Sequence, residues 1–258
     1  MLLQRARDSS DTLFTRKARF LLAERCAYTT TLANIAQEST FEQQHDVQVE
    51  SVYDLMFNFS HGPTLSEHSS IYQLFEYIPQ VDQMARKQRQ RKYNLGSLLD
   101  PSAEHIKLQR EILQWKPPDE HTSLGRYGSV YQQALLVYLS SVFGQHIIEE
   151  GQADYPLPGV LDAFAQFMDL LTPIPSGDLC TKALCWPLAI FGSCARSQSH
   201  RDFIRDILLY LYETYGSCSV KQSLCLLETM WADEAQFVSN PLGLMEAMKK
   251  TDNIVLFW

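Results

Sequence analysis

Six cysteines and seven histidines are the residues of this 258-residue chain most suited to metal binding. The cysteines are Cys26, Cys180, Cys185, Cys194, Cys218 and Cys225. Cys180 and Cys185 are five positions apart, and Cys185 and Cys194 nine apart, spacings that put each pair on different faces of a helix. Cys218 and Cys225 could share a face, but no second pair or nearby histidine completes a tetrahedral zinc site. We therefore predict no metal site and buried, free thiols in a reducing compartment.

Nucleophilic and phosphate-transfer chemistry find equally little support in the sequence. A serine hydrolase would show a G-x-S-x-G turn, and a phosphate-binding protein a Gly-rich strand-to-helix loop; neither pattern occurs. His200 falls in the first turn of a predicted helix, a position typical of a solvated side chain. The carboxylate pairs Glu149-Glu150 and Asp233-Glu234 stand near predicted helix ends and are typical of solvated surface. We predict that the chain is not an enzyme, with no catalytic residue and no cofactor.

The net charge excludes one broad class of partner. Twenty-two Lys and Arg against 30 Asp and Glu give a formal charge of -8. An acidic chain does not hold DNA or an anionic membrane over a broad face, because phosphate binding depends on Lys and Arg. The N-terminus lacks the apolar region of a signal peptide, and the longest apolar run is about half of what a bilayer requires. We expect a soluble intracellular protein with no membrane span.

One short segment runs against the acidic average. Arg86, Lys87, Arg89, Arg91 and Lys92 lie within seven consecutive residues. Such a run is a candidate nuclear localisation signal or nucleic-acid contact. The alternative is a solvated helix end, where cations are favoured by the helix dipole.

Helical spacing of apolar residues dominates the chain, and no apolar alternation bounded by hairpin turns predicts a strand. Residues 1–40 predict an N-terminal helix. Residues 47–59 predict a short helix whose apolar positions are Val47, Val49, Val52, Leu55, Met56 and Phe59. Residues 69–92 resume the pattern around Pro79, which should kink or split that helix.

The middle of the chain predicts three further helices. Asp100-Pro101 is a helix start, with a capping carboxylate followed by proline in the first turn, and Pro117-Pro118 ends that helix. A long helix follows from about residue 126 to 150. Its apolar stripe contains Tyr131, Leu135, Tyr138, Leu139 and Val142. Another helix runs from Val160 to Leu171, before Pro173.

Residues 180–234 predict three helices separated by short breaks. The first lies in the apolar run Ala183–Gly192, and its Pro187 removes a helical hydrogen bond to Ala183. Such a helix could be kinked and line a ligand cavity, or it could be the central core helix of a bundle. We predict that Asp178 caps this helix, that Ser199 caps the next, and that Gly216 ends it.

The third of these helices opens at Ser219, with Val220, Leu224, Leu227 and Trp231 on one face, and Asn240-Pro241 starts a last short helix. The apolar tail 253–258 should pack against a helix or a partner. The fold class is therefore all-α, a single multi-helix, bundle-like domain of about nine helices. We expect residues 1–40 to form an N-terminal helical segment continuous with a domain at 41–258.

Several of these segments resemble the regulatory domain of fungal zinc-cluster transcription factors, in the class called the second fungal-specific transcription factor domain. The matching residues are Leu184, Trp186-Pro187-Leu188, Gly192, Arg201, Val220, Leu227-Glu228 and Trp231. Upstream, Ile112-Leu113, Trp115, Pro117-Pro118, Tyr131 and Tyr138-Leu139 are similar to the preceding helices of that family. The resemblance runs from about residue 70 to the end.

The resemblance implies a regulatory domain in the nucleus, or one that shuttles there from the cytoplasm, which associates as a homodimer. Members bind DNA through a zinc cluster with a C-x2-C-x6-C pattern, which is absent from this chain. Any contact with zinc or DNA is therefore expected from a segment outside this chain. The alternatives are a regulatory fragment of a longer protein and a member of the family that lacks DNA binding.

Some sterol-responsive relatives bind a lipid in an apolar cavity. Trp186, Phe191, Phe203 and Trp231 are accordingly the candidate contacts for a small apolar ligand. The alternatives are a ligand-free helical scaffold for protein interactions and an enzyme acting on apolar small molecules.

Overall fold

The computed structural model describes residues 73–85, 101–117, 119–148, 160–171, 184–233, 237 and 239–251. Helices account for 85% of the described residues, and none of these residues forms a strand, which confirms the all-α prediction. The described ranges contain eight helices, close to the predicted nine. Several predicted features lie outside these ranges: the helices at 1–40 and 47–59, the caps Asp100 and Asp178, the basic run 86–92 and the tail 253–258.

The described ranges contain the following helices, in chain order. Helix α1 comprises residues 73–85. The others are α2 (Pro101–Gln114), α3 (Ser123–Ile148), α4 (Val160–Leu171), α5 (Cys185–Ser193), α6 (Gln198–Tyr215), α7 (Cys218–Ala232) and α8 (Pro241–Lys250). None of the described helices is both long and apolar enough to cross a membrane.

Helix α5 lies at the centre of the domain. It packs against α3, α6, α7 and α8, while α6 contacts α7, and α8 contacts both α3 and α7. Helices α2 and α4 pack on α3. All nine residues of α5 are buried, from Cys185 to Ser193. Of the two alternatives for the Trp-Pro segment, the observed arrangement corresponds to a central core helix.

Neither proline that was expected to disturb a helix does so in the predicted way. Helix α5 begins at Cys185, so Pro187 lies in the first turn, where backbone N–H groups have no partner within the helix anyway. The prediction that Pro187 removes an internal hydrogen bond was therefore wrong. Helix α1 continues through Pro79 rather than splitting, and the Gln80 side chain donates a hydrogen bond to the Glu76 carbonyl (3.1 Å) in the turn around it.

The helix ends follow capping rules, with one predicted cap misplaced. Ser197, not Ser199, is the N-cap of α6, and its hydroxyl accepts a hydrogen bond from the His200 N–H at 3.2 Å. Gly216 ends α6 in the left-handed region (φ 65°), as predicted. Asn240 caps α8, because its side-chain oxygen accepts hydrogen bonds from the second and third residues of that helix, at 2.9 and 3.0 Å.

Burial on α3 is wider than the predicted stripe, whereas α2 is buried along a single row. Helix α3 is buried on more than one face, since Tyr127, Val130, Ala134 and Val137 join the predicted apolar residues in the core. On α2, the buried row is His105, Leu108 and Ile112, with Trp115 just beyond the helix end. Ile106 and Leu113 remain 51% exposed.

Candidate functional site

The first aromatic group around α5 is the Trp186 cluster, formed by Tyr131, Tyr138 and Trp186. The Trp186 ring is 1% exposed and stacks on Tyr131, with ring centroids 5.5 Å apart. Tyr138 meets the same indole edge-on at 6.5 Å. Phe75 of α1 meets the Tyr131 ring edge-on, with ring centroids 4.9 Å apart. The cluster therefore joins α1, α3 and α5 through direct ring contacts.

One polar contact lies at the margin of the Trp186 cluster. The Tyr138 hydroxyl donates to Oδ1 of Asp82 on α1 at 3.4 Å, and Asp82 is only 5% exposed. A hydroxyl bonded to a carboxylate avoids the cost of a lone buried polar group. Aromatic side chains beside a few placed polar groups are also the composition typical of small-molecule sites.

The second group is the Phe191 cluster, formed by Phe164, Phe167, Phe191 and His200. Phe167 and Phe191 stack at 3.8 Å, and Phe164 meets Phe191 edge-on at 5.6 Å. The His200 ring stacks on Phe164 at 4.1 Å. His200 is thus half-buried against an aromatic ring rather than fully solvated as predicted, and it links α6 to α4.

The third group is the Trp231 junction, formed by Gly192, Arg201, Arg205, Glu228 and Trp231. The half-buried indole N–H of Trp231 donates to the Gly192 carbonyl at the end of α5, at 2.9 Å. Arg201 and Arg205 lie over the Trp231 ring, 5.9 and 5.4 Å from its centroid. Arg205 also donates to Glu228 at 3.2 Å. The junction fastens α6 and α7 to α5 with cation–π and charged hydrogen-bond contacts.

Arg201 binds the backbone at two further points of this junction. Its Nε donates to the carbonyl of Ala195, in the turn between α5 and α6, at 3.0 Å. Its Nη1 lies 3.5 Å from the Trp231 carbonyl at the end of α7. A planar guanidinium is suited to such a bridging role, because its donors point in several fixed directions.

The four predicted ligand contacts do not meet in one place. Trp186 and Phe191 belong to different aromatic clusters on α5. Phe203 and Trp231 are half-buried at the edge of the core, on α6 and α7. A ligand role for these residues stays a prediction, and so does the role of the basic run 86–92, which lies outside the described residues.

Replacing Trp231 by Phe should reduce the free energy of unfolding by about 1 kcal/mol, the usual net value of one hydrogen bond. The ring stays, but the bond to the Gly192 carbonyl is lost; that carbonyl still accepts the Ala195 N–H at 3.1 Å. Urea unfolding measures the effect. Tyr210→Phe is the control, because Tyr210 is 38% exposed on α6. Equal stability of the two variants would contradict a role for the indole N–H.

The described cysteines are free, and only some are buried as predicted. Cys185 is fully buried, and its sulfur lies 3.2 Å from the Ser223 hydroxyl. Burial raises the pKa of Cys185 to about 11, although the Ser223 contact acts in the opposite direction. Cys218 and Cys225 are exposed on α7, which corrects the expectation that they lie in the core. The helix face that Cys218 and Cys225 were predicted to share is therefore exposed to solvent.

Thiol-reactive reagents at pH 8 should label Cys218 and Cys225 rapidly and Cys185 only after unfolding. The thiolate is the reactive form, and a rise in pKa from 9.0 to about 11 lowers its population at pH 8 by roughly 100-fold, before burial of the sulfur is considered. Mass spectrometry of timed digests assigns the labels. Labelling of Cys185 in the folded protein at the rate of Cys225 would show that α5 opens.

No group of three or more His, Cys, Asp or Glu suited to a metal ion occurs among the described residues. The three aromatic groups offer packing, ring stacking and cation–π contacts. Their chemistry supports a closely packed framework around α5.

A family model described as the fungal specific transcription factor domain matches residues 1–257. The chain belongs to this family. No curated protein and no solved structure matches the chain.

The match to the fungal specific transcription factor domain begins at residue 1, well before the motif residues that suggested it. Membership places the chain in a regulatory role in a fungal transcription factor and connects it with nuclear function. The family is one of transcription factor domains and not a class of enzymes.

Four of the motif residues of this fungal domain converge in space. Gly192, Arg201, Glu228 and Trp231 all contribute to the Trp231 junction, although they come from three helices. Arg205 was not among the residues on which the resemblance was based. It lies over the same Trp231 ring as Arg201 and donates to Glu228. Its position four residues after Arg201 places both cations on one face of α6, and this spacing could have revealed it.

Proposed function

We propose that this chain is the domain through which a fungal transcription factor is controlled by protein contacts in the nucleus, including contact with a second copy. The family match over residues 1–257 carries the proposal. The contacts that fasten α4, α6 and α7 to α5 support it, because a regulatory domain must keep its surfaces in fixed positions. The formal charge of -8 supports a division of labour in which another segment binds DNA.

A reporter assay tests this function directly. The full chain, fused to an unrelated DNA-binding domain, should change reporter transcription relative to that DNA-binding domain alone. Gly192→Val, which overfills the centre of the domain, should remove the effect, whereas Glu246→Ala, at an exposed position of α8, should retain it. A fusion indistinguishable from the DNA-binding domain alone, at equal protein level, would reject the proposal.

Self-association is tested separately by analytical ultracentrifugation. The proposal expects a reversible dimer whose fraction rises with protein concentration. A sedimentation coefficient that stays at the monomer value across the concentration series would remove the second copy from the proposal. The transcriptional role would then rest on other protein partners.

A small apolar ligand beside α5 is the second candidate function. The buried rings of Tyr131, Tyr138 and Trp186, with the Tyr138–Asp82 contact at their margin, have the apolar-plus-polar composition of a ligand site. These rings touch one another directly, so a ligand must separate them. Direct contact favours the alternative of a ligand-free scaffold at this position.

Thermal unfolding with ergosterol or palmitic acid distinguishes the two candidates. A ligand that binds the folded state stabilises it by about 2.7 kcal/mol at 100 times its Kd. Sensing predicts a rise in Tm that Trp186→Phe weakens. The scaffold predicts no shift with any apolar probe.

A further inference from the structure

We propose that two copies of this chain associate through the exposed face of α7, in an antiparallel arrangement centred on Cys225. The pairing rests on the proposed function, which includes contact with a second copy, and gives that contact a surface. The exposed residues of α7 are Cys218, Lys221, Gln222, Cys225, Glu228, Thr229 and Ala232. At about 100° per residue, all of them lie within about 60° of Cys225 around the helix, so they form one continuous face, the α7 face.

Small residues run along the middle of the α7 face. Cys218, Cys225 and Ala232 follow one another at intervals of seven positions, or about two helical turns. No long side chain stands on this line, so the backbone of a second helix can approach closely. The longer side chains lie on the two flanks of the face.

The charged flank of the α7 face is complementary to itself. Lys221 lies four residues before Cys225 and Glu228 three residues after it, and both are turned to the same side of the helix. A two-fold axis through Cys225 brings this flank of each copy together with the chain direction reversed. Lys221 then lies opposite Glu228 of the second copy, and the symmetry makes this ion pair twice. A parallel arrangement instead sets like charges at the same height.

The other positions of the α7 face agree with the same axis. Gln222 comes opposite Thr229 of the second copy. The Thr229 hydroxyl donates to the Cys225 carbonyl of its own helix at 2.9 Å, and its oxygen still has a lone pair for the Gln222 amide. At the two ends, Cys218 comes opposite Ala232, so the close approach extends along the whole helix.

Contacts within the chain hold both charged groups in place without covering them. Nζ of Lys221 lies over the Tyr212 ring, 5.7 Å from its centroid. Oε1 of Glu228 accepts a hydrogen bond from Arg205 at 3.2 Å, and the Glu228 side chain remains 47% exposed. Groups that are already positioned lose less conformational entropy on association, which favours binding.

The other long exposed helix face disfavours a second copy. Leu209 and Tyr210 are exposed on α6, but the exposed carboxylates of Asp206 and Glu213 flank them. A two-fold pairing centred on Leu209 and Tyr210 sets Asp206 against Glu213 of the second copy, and like charges repel. Charge complementarity therefore selects α7.

The size of the α7 face sets the strength of the association. Helix α7 has 15 residues and is about 22 Å long. One face of such a helix provides less than the roughly 800 Å² per partner that a stable complex buries. The dimer is therefore weak and reversible, as the proposed function expects.

Oxidation of the native thiols by hydrogen peroxide tests the geometry. One Cys225 thiol becomes a sulfenic acid with release of water, and Cys225 of the second copy displaces a second water; the O–O bond breaks and an S–S bond forms. Cys218 and Cys225 of one helix are about 10.5 Å apart, too far for a disulfide with each other. Trypsin cleaves after Lys221 and puts the two cysteines on separate peptides for mass spectrometry.

The antiparallel pairing predicts Cys225 to Cys225 as the main disulfide between molecules. In the Cys225→Ser/Ala232→Cys variant, the link should move to Cys218 and the new thiol at position 232. A main link from Cys218 to Cys218 would show a parallel arrangement, and no link through α7 would show that its face is not shared; either result overturns the proposal.

Charge reversal followed by analytical ultracentrifugation tests the same surface without oxidation. Lys221→Glu should weaken association about tenfold, because it sets two pairs of carboxylates together. Lys250→Glu is the matched control: it is exposed on α8, lies over the Phe237 ring at 4.9 Å, and should leave the association unchanged. Lys221→Glu/Glu228→Lys should restore the dimer, and circular dichroism verifies that each variant is folded.

The outcomes separate this surface from the proposed function. A wild-type dimer that Lys221→Glu leaves intact would reject the α7 face, while contact with a second copy through another surface would stand. A wild-type chain that stays monomeric would reject both the α7 face and the second copy. The reporter assay decides the transcriptional role independently of either result.

Discussion

Trp186→Ala should lower the free energy of unfolding by about 3–5 kcal/mol, the range for removing a large buried aromatic side chain. Trp186 is 1% exposed, and the substitution removes the ring that Tyr131 stacks on and Tyr138 meets edge-on. The surrounding helices α3 and α5 are held by other contacts, so the space cannot close fully. Urea unfolding followed by circular dichroism measures the change.

Tyr210→Ala provides the matched aromatic control for this result. Tyr210 is 38% exposed on α6, and its truncation should change stability by no more than about 0.5 kcal/mol. Trp186→Phe should fall between the two, because it keeps an aromatic ring of smaller area. A loss below about 1.5 kcal/mol for Trp186→Ala would mean that the indole is not packed as described.

Gly192→Val should destabilise the domain by about 3 kcal/mol, at the upper end of the usual cost of overpacking a core. A Cβ atom at residue 192 would lie 2.6 Å from Cδ1 of Leu227 and 3.3 Å from Cγ2 of Ile204, and valine adds two further methyl groups. Any shift of α5 also disturbs the hydrogen bond from Trp231 to the Gly192 carbonyl. Thermal and urea unfolding both report this loss.

A second substitution identifies the cause of the Gly192 effect. Leu227→Ala removes the nearest atoms, so the Gly192→Val/Leu227→Ala variant should be more stable than the sum of the single changes predicts. Strict additivity would indicate that Leu227 is not the obstacle. Gly216→Ala is the comparison glycine: nothing lies within 4 Å of its added Cβ, and the positive φ of 65° alone should cost about 1–2 kcal/mol.

Local features of the fold could be predicted from the sequence because their causes are local. Periodic apolar residues predicted the helices, Gly216 the end of α6 and Asn240 the start of α8. The choice of Ser197 over Ser199 depends on where the chain turns after α5. The exposure of Ile106, Leu113, Cys218 and Cys225 depends on which helices pack on α2 and α7, and periodicity does not contain that information.

The candidate site divides in the same way. The sequence could predict that Trp186 and Trp231 are packed, because large aromatic residues in an apolar pattern are rarely fully exposed to solvent. Their contacts could not, since Arg201 and Trp231 are 30 positions apart and meet only when α6 packs on α7. The stack of Phe167 on Phe191 likewise depends on α4 reaching α5. The motif residues at the Trp231 junction are thus explained by three-dimensional contacts that their spacing does not reveal.

The central position of α5 has a consequence for synthesis on the ribosome. A helix of nine residues is too short to persist by itself, and three of its four partners, α6, α7 and α8, follow it in the chain. A nascent chain that ends before Pro241 therefore carries an apolar segment that it cannot yet cover. The domain completes its core only when α8 has emerged, and until then α5 is a natural target for chaperones and proteases.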